Sequence, residues 1–370
     1  MSTPLRVAID ATPLLGPRTG VGVFTHELLC HLPAVGVEPV AYATSWRGRG
    51  RLAAAVPAGV EVCGRPQAAR PLRMLWRRFD APPIEWWSGR VDVVHGPNYV
   101  VPPARRAATL MTIHDLTFHH HPEMSTRDTL QYPGLIDRAL RRGAWVHTES
   151  RFVAEEIRDH YSVDPERIVV VPLGVSALPD ASPRRGQELA GGDRYVAAIG
   201  TVEPRKDLPL LVDAFDRLAG DDPELRLVIA GPDGWGADAL AERIERSPHR
   251  DRIVRLGWVS DEDRSALLRG ARVLAYPSRY EGFGFPPLEA MSVGTPVVTT
   301  AVGALPEVVG DAATMVEPAD ADALAGAIDT LLDGGPERDR LIGAGRDRAA
   351  HFSWEACARG LADLYRRIGK

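Results

Sequence analysis

"RYVAAIGTVEPRKDLPLLVDAFDRLAG", Arg194 to Gly220, holds a strand, a turn and a helix in one stretch of sequence. "RYVAAIG" is a short apolar run of strand length, and "DLPLLVDAFDRLAG" repeats its apolar residues at helical spacing. A strand feeding a helix through a tight turn is half of a parallel βαβ unit, and in such sheets ligands bind just beyond the carboxyl ends of the strands. The turn holds Arg205 and Lys206 at the helix entrance, with Asp207 as the expected cap. Backbone N–H groups and the positive end of the helix dipole already favour anions there, so two cations make a diphosphate site. A surface turn with two solvated bases is the plainer alternative. Composition argues against it: of 44 basic residues only Lys206 and Lys370 are lysines, so an arginine-writing chain keeps one internal point charge where a planar fork is its habit.

The same rhythm runs outward in both directions. Before it stand "RVAID", the apolar-periodic "GVFTHELLCHL", "VDVVHG", "ATLMTIHD", "WVHTES" with "RFVAEEIRDHY", and "IVVVPLGV"; after it come "LRLVIAG", "IVRLGWV", "DEDRSALLRGA", "VLAYPS", "TPVVTT", "ATMVE" and "ADALAGAIDTLLDG". Between the two series, "PLGVSALPDASPRRGQELAGGD" has the composition of a linker. The expected fold is α/β, two doubly wound Rossmann-like domains at 1–175 and 193–350 that face a cleft. A C-terminal helix within 351–370, capped by Ser353 with Glu355 in its first turn, is placed to cross back to the first domain.

At 370 residues the chain can build two cores, and no apolar run approaches the roughly 18 residues of a membrane span. "MSTPLRVAID" enters a strand almost at once, without the charged start and apolar middle of an export signal, so the cytoplasm is the expected compartment. Cys30, Cys63 and Cys357 are odd in number and far apart, which argues against a disulfide framework or a thiolate zinc site. Up to Val175 there are 20 arginines against 17 acids, and beyond it 24 bases against 32 acids. That balance is too slight for a nucleic-acid binder, but it makes the first half the seat of any anionic or membrane-facing partner.

Further candidates lie at the ends of the other strands. "YEGFGFPPLEA", Tyr280 to Ala290, sets Glu281 and Glu289 around a Gly-Phe-Gly-Phe-Pro-Pro run. With Pro287 near a helix start and Gly294 as its stop, Glu289 falls in the first turn, and the amides of Gly282, Phe283, Gly284 and Phe285 can approach a ligand closely. Carboxylates that accept from hydroxyls beside amides that donate suit a polyhydroxyl compound. In the first half, "PRTGVGVFTHELL" places Gly20, Val21 and Gly22 in a loop before a helix, although Thr25 breaks the dinucleotide fingerprint. His26 and His31 are five residues apart, off the zinc-protease spacing. At Arg205 and Asp207 a P-loop would need glycine and Ser/Thr, which argues against a magnesium-dependent NTPase. His114 and Asp115 end "ATLMTIHD", where a side chain faces either the cleft or the core. The run His119 to His121 reads as loop. Asp261/Asp263 and Asp320/Asp322 match a metal-holding Asp-x-Asp, but both pairs open helices and are expected to cap them.

Taken together, "TGVGVFTHEL", "GTVEPRKDLPLLVDAF", "RLVIAGPDG", "RLGWVSDED" and "YEGFGFPPLEAM" resemble the retaining GT-B glycosyltransferases of family 4, over nearly the whole chain and in the right order. The resemblance implies Arg205 and Lys206 on the donor diphosphate, Glu281 near the donor sugar hydroxyls and Glu289 on the ribose. It implies backbone contacts from Phe283, Gly284, Phe285 and Leu288 to sugar and phosphate, from Val259 to the base, and a donor-binding place for Gly200 and Gly231 at their strand ends. Gly20 to Gly22 would close on the diphosphate and His114 would lie by the sugar. No metal or cofactor is implied beyond the nucleotide sugar itself. "VDVVHGPNYVVPP" and "TIHDLTFHHHPE" look most like bacterial polysaccharide-assembly enzymes, many of them mannosyltransferases.

The expected activity is hexosyl transfer from a nucleoside-diphosphate sugar to a glycan, lipid-linked or small-molecule hydroxyl. A nucleotide-sugar epimerase and a non-catalytic nucleotide-sugar binder are the rival readings. In "RPQAARPLRMLWRRFDAPPIEWW", Arg65 to Trp87, five arginines accompany Trp76, Trp86 and Trp87, a composition for peripheral contact with the inner membrane or a lipid-linked acceptor, or for an amphipathic helix packed on its sheet.

Overall fold

A computed structural model describes residues 4–16, 19–45, 48, 50–63, 69–79 and 81–369, and the chain divides into two compact units. The first comprises Met1–Gly174 and Phe352–Lys370, the second Val175–His351.

In the first unit seven strands, β1 (Leu5–Asp10), β2 (Val37–Tyr42), β3 (Glu61–Val62), β4 (Val93–Gly96), β5 (Ala108–Thr112), β6 (Trp145–Thr148) and β7 (Ile168–Val170), form a parallel sheet in the order β3-β2-β1-β4-β5-β6-β7. In the second, β8 (Tyr195–Ile199), β9 (Arg226–Ala230), β10 (Ile253–Gly257), β11 (Val273–Tyr276), β12 (Val297–Thr300) and β13 (Thr314–Val316) are parallel in the order β10-β9-β8-β11-β12-β13. Both sheets reverse their winding once, between β1 and β4 and between β8 and β11. At such a switch point the turns leaving adjacent strand ends run in opposite directions and open a crevice, which makes it the preferred ligand position.

Central strands are mostly apolar because helices cover both faces. Val196, Ala198, Leu227, Ile229, Val273 and Ala275 pack with Leu211, Val212 and Phe215 of the helix Leu208–Ala219 in the second core. Met111, Ile113 and Val146 pack with Ile136, Leu140, Val153 and Ile157 in the first. The C-terminal helix Trp354–Ile368 is capped by Ser353, whose hydroxyl accepts from Ala356 N at 3.2 Å. It belongs to the first unit, where Trp354, Cys357, Leu361, Ala362 and Tyr365 are buried.

Two local readings need correction. The linker-like stretch contains a helix, Pro183–Ala190, inside the second unit. Its Gly186 answers a packing demand, since a Cβ there would lie 2.1 Å from the carbonyl oxygen of Ala266. And Gly20, Val21 and Gly22 form the first turn of the helix Gly20–His31, not a loop before it, with Thr19 at the cap position.

Candidate functional site

Beside the switch point of the second sheet two glycines let the ends of β8 and β9 converge. Gly200 follows β8 and Gly231 follows β9, with φ of 143° and 149°; a Cβ on Gly231 would fall 1.9 Å from the carbonyl oxygen of Gly200. Only glycine tolerates both demands. From Gly200 the chain runs through the short 3-10 turn Pro204–Lys206 to Asp207, which takes a left-handed conformation at φ 47° and starts the next helix. Asp207 holds the cap position, and its carboxylate lies 4.0 Å from Arg279 Nε.

That turn aims both cations at one acid. Glu281, 4% exposed, accepts through Oε2 from Arg205 Nη1 at 2.7 Å and through Oε1 from Ser278 Oγ at 2.8 Å and Tyr276 OH at 2.9 Å. The Lys206 ammonium donates to the same Oε1 and to the Tyr276 hydroxyl, with its Nζ 4.5 Å from the Tyr276 ring centre. Glu203 takes Arg205 Nε at 2.7 Å. The structure thus brings Arg205 and Lys206 onto Glu281, and adds Glu203, Tyr276 and Ser278 to them. Burial works to raise the Glu281 carboxyl, but Arg205, Lys206 and Ser278 outweigh it and hold its pKa at about 2. Lys206 goes the other way: burial and the neighbouring Arg205 charge lower its pKa more than Glu281 and Glu203 raise it. A small pocket borders this cluster, lined by Gly200, Thr201, Lys206, Tyr276 and Pro277 among others.

The loop after Glu281 is pinned from the opposite side, where a Cβ on Gly303 would meet the Glu281 carbonyl oxygen at 2.3 Å and Ala304 N donates to that oxygen at 2.8 Å. Gly284, at φ 116°, ends the loop and Phe285–Val293 is helical, stopped by Gly294 in the left-handed region. Since the helix begins at Phe285, Glu289 lies in its second turn rather than its first. It is 8% exposed and pairs with Arg264 Nη1 at 3.0 Å. Burial raises the Glu289 pKa, and Arg264 compensates only in part. The rings of Phe283 and Phe285 meet edge to face at 5.4 Å, the Leu288 side chain is buried, and Val259 sits half-buried between Gly257, the last residue of β10, and the next helix.

The Asp-x-Asp pairs are occupied otherwise. Ser260, not an aspartate, caps the helix Asp261–Gly270; Asp261 pairs with Arg264 at 3.1 Å and Asp263 with Arg185 at 2.9 Å. Asp320 does cap its helix, accepting from Ala323 N at 2.8 Å, while Asp322 pairs with Arg217.

In the first unit His114 stands two residues past the end of β5, with 15% of its side chain exposed. Nε2 is 2.7 Å from the Pro97 carbonyl oxygen, and Nδ1 meets Glu149 Oε1. Burial lowers the His114 pKa, but the charge and hydrogen bond of Glu149 override this and the net shift is upward. Glu149 escaped the sequence reading, although "WVHTES" places it at a strand end. The histidine run is helical from Thr117 to His120: His119 pairs with Tyr161 OH at 2.8 Å and His120 with Glu156 at 2.8 Å. Of the Arg/Trp stretch, residues 65–68 and Asp80 lie outside the described residues. Trp76 is buried, its Nε1 donating to Pro82 O at 3.1 Å, whereas Met74, Leu75, Phe79 and Trp86 are 71%, 44%, 57% and 57% exposed. No described helix is long and apolar enough to cross a membrane.

Comparison with known proteins agrees with this fold. The model described as "Glycosyltransferase Family 4" matches residues 18–177, and that described as "Glycosyl transferases group 1" matches 181–348. O-antigen chain mannosyltransferase B of Escherichia coli is 35% identical over 287 residues, 75% of this chain and 74% of that protein. MMP α-(1→4)-mannosyltransferase of Mycolicibacterium hassiacum is 36% identical over 250 residues, 66% of this chain but only 56% of that protein. Among solved structures, Anabaena HepE in complex with UDP and glucose superposes with a TM-score of 0.76 at 18% identity, covering 98% of this chain and 100% of that one. WaaG, a glycosyltransferase involved in lipopolysaccharide biosynthesis, gives 0.73 at 17% identity over 97% and 99%. At these identities the two structures establish the fold alone.

Proposed function

This chain belongs to the family 4 glycosyltransferases, and we propose that it is a metal-independent, retaining enzyme that moves a hexosyl group from a nucleoside-diphosphate sugar. GDP-mannose or a UDP-hexose is the donor, and a hydroxyl of a glycan, lipid-linked or small-molecule acceptor receives the sugar. The bond from sugar C1 to the diphosphate oxygen breaks, the acceptor oxygen bonds C1 on the same face, and the acceptor's proton leaves with the diphosphate.

The observation that carries this reading is the convergence of Arg205 and Lys206 on Glu281 at a sheet switch point. A diphosphate that leaves gains charge, and two preorganised cations stabilise that charge without moving. Glu203 and Glu281 keep the pair ionised and aimed. Asp261, Asp263, Asp320 and Asp322 already serve as helix caps or ion-pair partners, which supports a reaction without a metal. The mannosyltransferase names of two relatives favour a mannosyl donor, and transferase names favour transfer over epimerisation or mere binding.

A thermal-shift screen of UDP- and GDP-sugars tests the reading, because a ligand at 100 times its dissociation constant adds about 2.7 kcal/mol of stability. One of the two nucleotide series should raise Tm in the presence of EDTA. Indifference to every nucleotide sugar would count against the proposal.

A further inference from the structure

His95, Thr112 and His147 lie on the adjacent strands β4, β5 and β6, all three fully buried. Two residues further along, and so on the same face, come Pro97, His114 and Glu149 at the carboxyl edge of the sheet. The molecule therefore stacks two rows of hydrogen-bonding groups.

The proton positions of the lower row are determined. Val171 O lies 2.9 Å from His147 Nε2, so that nitrogen donates, and the bare Nδ1 accepts from Thr112 Oγ1 at 2.9 Å. With its one hydrogen spent, Thr112 accepts from His95 Nε2 at 2.8 Å, which leaves His95 Nδ1 to accept from Tyr365 OH at 2.7 Å. Every donor meets an acceptor with both histidines neutral. Burial, reinforced by neighbouring histidine charge, lowers the pKa of both. A third proton on the two rings would reverse the donors along the row and leave the Tyr365 hydroxyl hydrogen without its acceptor.

The upper row differs. His114 Nε2 faces a carbonyl and must donate. Its Nδ1 faces Glu149, which is 2% exposed and whose second oxygen, Oε2, is buried without a hydrogen-bond partner. One proton is shared between Nδ1 and that carboxylate. An imidazole is ordinarily about two pKa units more basic than a glutamate, and the 15% of the His114 side chain that stays exposed keeps its charge partly hydrated. We propose that Glu149 is a positioning residue that fixes His114 as an imidazolium with both N–H groups spent inside the protein. The other titratable groups around the pair are Asp115 on the same turn, Tyr99, whose ring centre is 5.6 Å from that of His114, His95 and His147 below, and Cys357 of the C-terminal helix. Phe24 closes the remaining side, its ring centre 6.0 Å from that of His114.

His114 is then a fixed positive charge at the edge of the first sheet. It can neither take a proton from an acceptor hydroxyl nor offer an N–H to a substrate, and it acts on a phosphate or developing oxyanion through charge. This last step rests on the proposed transferase function and on the family resemblance, which implies a place for His114 beside the donor sugar; the protonation pattern does not.

Glu149→Gln separates charge from orientation, since the amide can still hydrogen-bond Nδ1 while removing the negative charge. In imidazole 15N spectra the wild type should show two N–H signals for His114 at pH 7.5 and Glu149→Gln only one. Turnover of Glu149→Gln should fall on the order of tenfold at pH 8, less than the ~10²-fold typical of a lost direct donor. It should recover as pH drops and His114 is protonated again, a recovery the wild type does not show. A single His114 N–H in the wild type at pH 7.5 would overturn the proposal, and so would wild-type turnover with an unchanged pH profile in Glu149→Gln. If no nucleotide sugar is turned over at all, the spectra still decide the protonation while the transferase reading fails separately.

Discussion

Lys206 donates its ammonium to Glu281 Oε1 in a site where the lysine is 9% and the glutamate 4% exposed. Seventy-five residues separate them, yet the turn after β8 and the loop after β11 bring them together because those strands are neighbours across the switch point. An ammonium so deeply placed, beside the like charge of Arg205, would lose its proton readily without a carboxylate partner.

Glu281→Gln should therefore act on both stability and pH dependence. The folded-state pKa of Glu281, about 2, lies below the ordinary glutamate value, so its stabilisation is present above about pH 4.5 and is lost as pH falls toward 2. Breaking a buried pair from one side costs about 3 kcal/mol or more. Melting curves should show a large Tm deficit for Glu281→Gln at pH 7 that shrinks toward pH 3. Turnover should be mainly what is lost, and it should decline with rising pH earlier than in wild type, because Lys206 has lost its countercharge. A variant with wild-type Tm at pH 7 would contradict this.

Glu289 has the opposite sign. Its pKa is raised by burial, so relative to the protonated form the ionised carboxylate costs stability as pH rises through the folded-state pKa. Glu289→Gln should melt no lower than wild type at pH 8, with any advantage closing as the buffer is acidified. Arg264 keeps Asp261 as a partner in the variant. If the ribose contact is equally strong in bound donor and transition state, the donor KM rises while kcat holds. A lower kcat at unchanged KM would remove Glu289 from nucleotide binding.

Metal dependence is read from initial rates in excess EDTA, which should match those without chelator. Loss of activity that magnesium or manganese restores would show that a cation, and not Arg205 with Lys206, carries the diphosphate charge.

Much of this site was legible because strand ends are. The run "RYVAAIG" announces β8, and ligands sit just beyond the carboxyl ends of parallel strands, so Arg205 and Lys206 could be singled out without a structure. Glu203, Tyr276, Ser278 and Glu149 could not. They act on residues brought near by folding, and neither periodicity nor spacing records that Tyr276 will lie against a lysine 70 residues away. Glycine misled twice for one reason. Gly186 and Gly20 read as breakers, yet Gly186 is required by a close helix contact and Gly20 opens a helix. The register of Glu289 slipped because Pro287 suggested the helix start, whereas Gly284 ends the loop and the helix begins at Phe285.

We propose peripheral membrane contact through the apolar side chains of Met74, Leu75 and Phe79, 71%, 44% and 57% exposed in and just after the helix Ala69–Arg78, amid an arginine-rich sequence. Sedimentation with vesicles containing phosphatidylglycerol should bring the protein down at low salt and less so at high salt. Met74→Glu/Phe79→Glu should stay in the supernatant. Equal pelleting of both proteins, or none of the wild type, would discard this surface.

The most direct measurement is the rate at which nucleoside diphosphate is released from the best-binding nucleotide sugar, in EDTA and with acceptor present, by wild type, Lys206→Ala and Lys206→Arg. The ammonium fits between the Tyr276 hydroxyl and Glu281, beside a guanidinium already in place, and a second planar fork has no matching space. If the compact charge meets the leaving group, Lys206→Ala loses on the order of 10²-fold in kcat, as when a preorganised oxyanion donor is removed. Lys206→Arg should also be badly impaired, with nucleotide binding largely kept and the circular dichroism spectrum unchanged. Wild-type release by Lys206→Arg would show that only the position of the charge matters, and wild-type release by Lys206→Ala would contradict the account at its centre.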